Sequence, residues 1–203
     1  MYFIKTPAWV KAVFSAYTWN VNTTEKTLYL TFDDGPHPLA TPFVLEQMDK
    51  FGAKGTFFCL GKNVREHEAI YQDIIKSGHA VGNHTNDHLN GWKVSHDEYI
   101  KNVDRASALI KSDLFRPPYG RISRRAGRTL LKEKYQIIMW DVLSGDFDVH
   151  IAPEKCAANV LNKAGAGSII VFHDSQKALQ NLKYTLPLVL SEFSSRGFMF
   201  KHL

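Results

Sequence analysis

Short β-branched and aromatic runs recur along this chain, each followed by a segment patterned as a helix. That alternation constrains the fold more than any other feature of the sequence. The runs are Thr27 to Phe32, Gly55 to Leu60, Ala80 to Val81, Leu114 to Phe115, Gln136 to Trp140, Ser168 to Phe172 and Phe198 to Phe200. Strands separated in this way by helices spell repeated βα units. The helices are punctuated. Ser95-His96-Asp97-Glu98 is a capping box opening a helix whose Tyr99, Val103, Ala106 and Ile110 share one face. Ser77-Gly78 and Arg196-Gly197 read as helix stops, and Leu186-Pro187 as the start of a last helix.

The chain has 203 residues, 44% of them hydrophobic and 22% charged, which suits one folded domain and argues against long disorder. No internal repeat, low-complexity tract or Gly/Ser linker offers a domain boundary. An α/β barrel is therefore expected. A doubly wound open sheet is the alternative, but it lacks the Gly-rich phosphate loop that would favour it. Residues 1–26 form an extension expected to pack on the barrel, and residues 27–203 the single barrel domain. Behind Pro7, the extension puts Trp9, Val10, Val13, Phe14 and Tyr17 on one helical face.

A net charge of +5 with scattered basic residues argues against nucleic-acid binding. The densest run, Arg121-Ile122-Ser123-Arg124-Arg125, reads as a solvated helix start. Cys59 and Cys156 lie in no Cys-x-x-Cys pattern and are expected to be reduced packing residues. The Ala8-Trp9-Val10 stretch is broken by Lys11, so no signal-peptide core of about 7–15 apolar residues is seen. No run approaches the roughly 20 apolar residues of a membrane span. A cytoplasmic rather than an exported protein is expected on that basis.

Four polar motifs follow the apolar runs in order. They are Thr31-Phe32-Asp33-Asp34-Gly35-Pro36, His84-Thr85-Asn86-Asp87-His88, Arg116-Pro117-Pro118-Tyr119-Gly120 and Phe172-His173-Asp174. All fall at strand C-terminal ends, the face on which α/β barrels carry their sites. His84 and His88, spaced i, i+4, bring two imidazoles within reach of one ion, and a strand-end carboxylate supplies a third ligand. Donor chemistry alone does not choose between Asp33 and Asp34. Two nitrogens and one oxygen suit Zn²⁺, with Co²⁺, Ni²⁺ or Fe²⁺ permitted by the same donors. Of the remaining polar residues, His37 is placed at the site mouth, and His67, His79, His96 and His150 are read as surface or packing residues. Asp87 is read as solvated or as supporting the ligands.

In these motifs the chain resembles the polysaccharide deacetylase family, the NodB-type carbohydrate esterases, from about Thr27 to the C-terminus. The resemblance implies an irregular, incompletely closed (β/α) barrel of about seven strands, with Asp34, His84 and His88 as metal ligands. It implies Asp33 as the base that takes a proton from water, and Arg116 as the cation that keeps this carboxylate ionised. The Tyr119 backbone N–H is then aimed at the developing oxyanion, with its ring lining the groove. His173 is the general acid for the departing nitrogen, and Asp146 holds and tunes that imidazole. A bound ion would lower the pKa of water to about 7 and polarise the acetyl carbonyl.

The chain departs from the family pattern at Leu143, where an aspartate is usual, and at Phe147, where a tryptophan is usual. Val171 replaces a common leucine in the acetyl pocket. Asp148 is an alternative partner for His173. The expected activity is metal-dependent removal of N-acetyl groups from N-acetylglucosamine-containing glycans of chitooligosaccharide or peptidoglycan type. Trp92, Tyr119, Trp140 and Phe147 are candidates to stack on sugar faces. Two alternatives stand beside it: a hydrolase of another amide or an O-acetyl ester, and a metal-holding glycan-binding protein of impaired activity, the latter motivated by Leu143.

Overall fold

A computed structural model describes residues 3–203, and within them eight strands are formed. They are β1 (Thr27–Asp33), β2 (Thr56–Cys59), β3 (Ala80–Asn83), β4 (Leu114–Phe115), β5 (Gln136–Ile137), β6 (Val142–Leu143), β7 (Ile169–His173) and β8 (Met199–Phe200). The helices are α1 (Ala8–Val13), α2 (Ala40–Lys50), α3 (Gly61–Glu66), α4 (Glu68–Lys76), α5 (His96–Ser107), α6 (Arg124–Lys132), α7 (Pro153–Leu161) and α8 (Leu179–Ser195). Seven strands run in the order β5-β4-β3-β2-β1-β7-β6, and β8 pairs with the start of β1. All these pairings are parallel, giving a curled half-barrel with helices outside. No helix among the described residues is long and apolar enough to cross a membrane.

Strand alternation decides which side chains reach the site. In β1, Leu28, Leu30 and Phe32 turn outward into the core beneath the helices, where they meet Val44, Met48, Leu186 and Val189. Phe32 stacks on Phe57 at 4.9 Å and on Phe172 at 5.9 Å, joining the three central strands. Burying each such ring stabilises the fold by about 1.5–3 kcal/mol. The opposite parity turns Thr31 and Asp33 into the barrel. Helix α5 opens as the capping box requires, with the Ser95 hydroxyl accepting from the Glu98 N–H at 3.2 Å. Gly78 and Gly197, with φ of 74° and 76°, follow the ends of α4 and α8.

Three expectations are corrected. The segment Gln136 to Trp140 pairs as a strand only over Gln136–Ile137, and a further short strand, Val142–Leu143, follows it. Strands of two residues carry no readable periodicity. The last helix begins at Leu179, and Pro187 lies inside it. An interior proline costs about 3 kcal/mol; burial of Leu182, Leu186, Val189, Leu190 and Phe193 offsets that cost. Finally, α1 ends at Val13 and leaves Trp9 and Val13 exposed, so that of the expected face Val10 and Tyr17 pack against the core. The segment before β1 also holds on through bridges of Lys5 to Val142, Thr18 to Ile138 and Asn20 to Ser168. Lys5 and Lys11 both pair with the buried Asp141, and Trp19 enters the core.

Candidate active site

One cavity of about 460 Å³ opens at the C-terminal ends of the strands, and Asp33, Asp34, His84, His88, Tyr119 and His173 line it. β1 delivers the two aspartates in different ways. Asp33 ends the strand and points inward by parity, whereas Asp34 follows with φ of 81°. Thr85, His88 and Tyr119 also have positive φ, at 67°, 61° and 61°. Such backbone is costly for residues with a Cβ and collects where function over-determines the structure.

Donor atoms of Asp34, His84 and His88 lie within 4.8 Å of one another. His84 Nδ1 is 2.8 Å from the Arg116 carbonyl, which can only accept, so Nδ1 carries the proton and Nε2 is left with its lone pair. His88 Nδ1 meets the Tyr119 hydroxyl at 3.0 Å, leaving its Nε2 toward Asp34 at 3.1 Å. Asp34 Oδ1 is buried without a hydrogen-bond donor among the described residues. Burial pushes the His84 pKa down to about 4, so that ring is neutral. Burial alone would raise the Asp34 pKa, but the surrounding imidazoles, His88 foremost, hold it well below the usual carboxylate range. The Asp34 carboxylate, the His84 Nε2 lone pair and the His88 ring nitrogen, converging on one point, fit a divalent cation.

Arg116 is fully buried and crosses the barrel floor. Its Nη1 donates to Asp33 Oδ1 at 2.8 Å and to the Thr31 hydroxyl at 2.6 Å. Its Nε and Nη2 donate to the carbonyls of Ile138 and Met139, and its guanidinium lies 4.1 Å from the Phe58 ring centroid. Burial lowers the Arg116 pKa from its usual value, while Asp33 opposes that fall. The same residue thus pairs with Asp33 through its side chain and orients His84 through its carbonyl.

His173 ends β7 opposite Asp33, the two being partners in register. Asp146, fully buried, accepts from His173 Nδ1 and from its backbone N–H, both at 2.8 Å. Burial would lower the His173 pKa, but the charge and hydrogen bond of Asp146 push it up to about 9. His173 Nε2 is left for the cavity. Asp148 Oδ1 accepts from the His150 N–H. Phe147 meets the His173 ring edge-on at 4.9 Å, and Leu143, Val171 and Trp140 complete the apolar wall.

Several placements were not foreseen. His37, expected at the mouth, turns its Nδ1 back to accept from the Leu39 and Ala40 N–H groups at the start of α2. The Tyr119 ring, expected only to line the groove, orients a histidine. Asp174 stood in the fourth motif without a role. Fully buried, it accepts from the Gly35 N–H at 3.1 Å and from the Thr41 hydroxyl, tying the turn after Asp34 to α2. A Cβ on Gly35 would come within 2.1 Å of that carboxylate, so only glycine fits there. Asn63 Nδ2 donates to the Asp34 carbonyl at 2.7 Å. An aspartate immediately after a strand-end histidine was the one signal available for Asp174.

A parallel half-barrel carrying carboxylates and histidines at its strand ends is the scaffold of a hydrolase of the carbohydrate-esterase class. The chain belongs to the polysaccharide deacetylase family, whose sequence model matches residues 20–138. It is 32% identical over 190 residues to a peptidoglycan-N-acetylglucosamine deacetylase of Bacillus cereus, covering 90% of this chain and 89% of that one. It is 33% identical over 159 residues to a chitooligosaccharide deacetylase of Azorhizobium caulinodans, covering 74% of each. Among solved structures, a peptidoglycan N-acetylglucosamine deacetylase in complex with 4-naphthalen-1-yl-N-oxidanyl-benzamide superposes with a TM-score of 0.88 at 29% identity, covering 98% of this chain and 95% of that one. Deacetylation of glycans is the activity this membership supports.

Proposed function

We propose that the chain hydrolyses the acetamide of N-acetylglucosamine units in chitooligosaccharide- or peptidoglycan-type glycans, with a divalent ion, Zn²⁺ by its donor set, held by Asp34, His84 and His88. The observation that carries this reading is the meeting of that cluster with the Asp33–Arg116 and His173–Asp146 pairs in one cavity. An ion held there supplies Lewis acidity, polarising a carbonyl oxygen and acidifying water.

The protein's own groups account for the proton movements. Asp33, paired with Arg116 at 2.8 Å, accepts a proton from the attacking water. The water oxygen bonds to the acetyl carbon, and the carbonyl electrons move onto oxygen. The Tyr119 backbone N–H is assigned to stabilise that oxygen. His173, charged below pH about 9, gives its Nε2 proton to the nitrogen as the carbon–nitrogen bond breaks. Amine and acetate leave, and the proton taken by Asp33 balances the one lost by His173. Leu143, Trp140, Phe147 and Val171 enclose the acetyl group in apolar surface.

The test is acetate release from chitooligosaccharides, peptidoglycan fragments and acetylated xylan, with elemental analysis of the purified protein. Acetate with a free amine supports the reading. Acetate with a free hydroxyl moves the protein to ester hydrolysis, and glycan binding without turnover under saturating metal makes it a binding protein.

A further inference from the structure

We infer that the mouth of this cavity selects glycans bearing a carboxylate, through Arg121 and Lys177; the inference rests on the deacetylase reading above and narrows its substrate. Arg121 and Lys177 are the Lys and Arg side chains among the described residues lining the cavity. Each stands over an aromatic ring. The Arg121 guanidinium is 5.1 Å from the Trp92 ring centroid, and the Lys177 ammonium 6.0 Å from that of Phe147. A ring face holds a cation in place without neutralising it.

The acids of the wall are already engaged. Asp33 is paired with Arg116, and Asp34 faces His84 and His88. Neither Arg121 nor Lys177 forms an ion pair with any described residue, so both charges are left for a ligand. Lys177 also lines an adjoining cavity of about 230 Å³ with His150, Gln180 and Asn181. Lys177 thus borders both cavities, and a polymer reaching from one toward the other would carry an acidic substituent past that ammonium. A neutral glycan would leave both cations unmatched.

Exposed charges contribute little to affinity and more to discrimination between partners. Two of them should favour a carboxylate-bearing glycan about three- to twentyfold over a neutral one, read in KM, with the preference falling as salt screens it. The experiment compares kcat/KM for chitopentaose, a muramic-acid-containing glycan strand of matched length, and a hyaluronan oligosaccharide. Muramic acid presents a lactyl carboxylate and hyaluronan a uronate, so the two acidic arms separate the sources.

The expected result is a preference for at least one acidic glycan at low salt that collapses toward unity in the Arg121→Gln/Lys177→Gln variant and inverts in Lys177→Glu. Equal use of acidic and neutral glycans, or a preference that survives both variants, overturns the inference. If no glycan releases acetate, the deacetylase reading fails separately. Calorimetric Kd values for the same oligosaccharides and variants then decide the rim's selectivity by the same ratio.

Discussion

Replacing Asp146 by Asn should move the alkaline limit of activity to lower pH. Asp146 accepts from both donors of His173, the ring Nδ1 and the backbone N–H, each at 2.8 Å. Asn keeps one acceptor and turns an NH₂ toward the other donor. If that NH₂ faces Nδ1, the imidazole must accept there and is neutral. The sign is fixed, because removing a partner anion disfavours His⁺. His173 stands at about 9 with the carboxylate present. Without it, burial leaves the ring at or below the ordinary value of about 6.5.

At pH 8 the protonated fraction then falls from about 0.9 to about 0.03, a loss of about 30-fold in kcat/KM. A dication at the Asp34 cluster lowers both limbs alike, so the readout is their difference. The assay is acetate release from pH 5 to 10 for wild type, Asp146→Asn, Asp148→Asn and His173→Ala. Thermal melts alongside separate this from folding, since one mismatched buried donor costs about 1–3 kcal/mol. Superimposable alkaline limbs in wild type and Asp146→Asn would refute the argument, and a shifted limb in Asp148→Asn would hand the role to that residue.

Other perturbations divide the site by role. His84→Ala or His88→Ala should remove tight metal binding, as elemental analysis would register; stoichiometric metal retained by the double variant contradicts the ligand set. Asp33→Asn should keep the metal and lose about 10²–10⁴-fold in turnover, whereas Asp34→Asn should lose the metal; the opposite pattern exchanges their roles. Asp174→Ala should weaken metal retention by freeing the turn that carries Asp34, and Asp174→Asn, which can still accept from Gly35 and donate to Thr41, should restore it. Failure of that rescue would mean the charge, not the position, is what matters. Phe32→Ala should cost about 3–5 kcal/mol in chemical denaturation, because the ring is fully buried between Phe57 and Phe172.

What the sequence made legible was whatever rests on local pattern. The apolar run Thr27 to Phe32 announced β1, and the Asp33-Asp34 motif after it announced the end of the strand that carries the site. Ser95 announced α5 because a cap is satisfied three residues away. The motifs named Asp33, Asp34, His84, His88, Arg116 and His173, and all of them line or underlie one cavity. The proline inside α8 misled for the converse reason, since helix continuity there is decided by burial against the sheet.

Asp174 shows why the remainder was illegible. Its two acceptor contacts, Gly35 and Thr41, lie 139 and 133 residues away, so nothing near it in the chain marks its purpose. Arg116 is similar: its side chain reaches 83 residues to Asp33, and its carbonyl 32 residues to His84. Residue type and spacing therefore singled out His84 and His88 as a pair, whereas the orientation of their rings was not readable. Orientation depends on carbonyls and hydroxyls that nearly every residue carries, and only the closing of β1, β3, β4 and β7 into one sheet decides which of them face a histidine. It follows that substitutions behind the site, at Thr31 or Asp174, should disturb the chemistry as surely as changes in the groups that touch substrate.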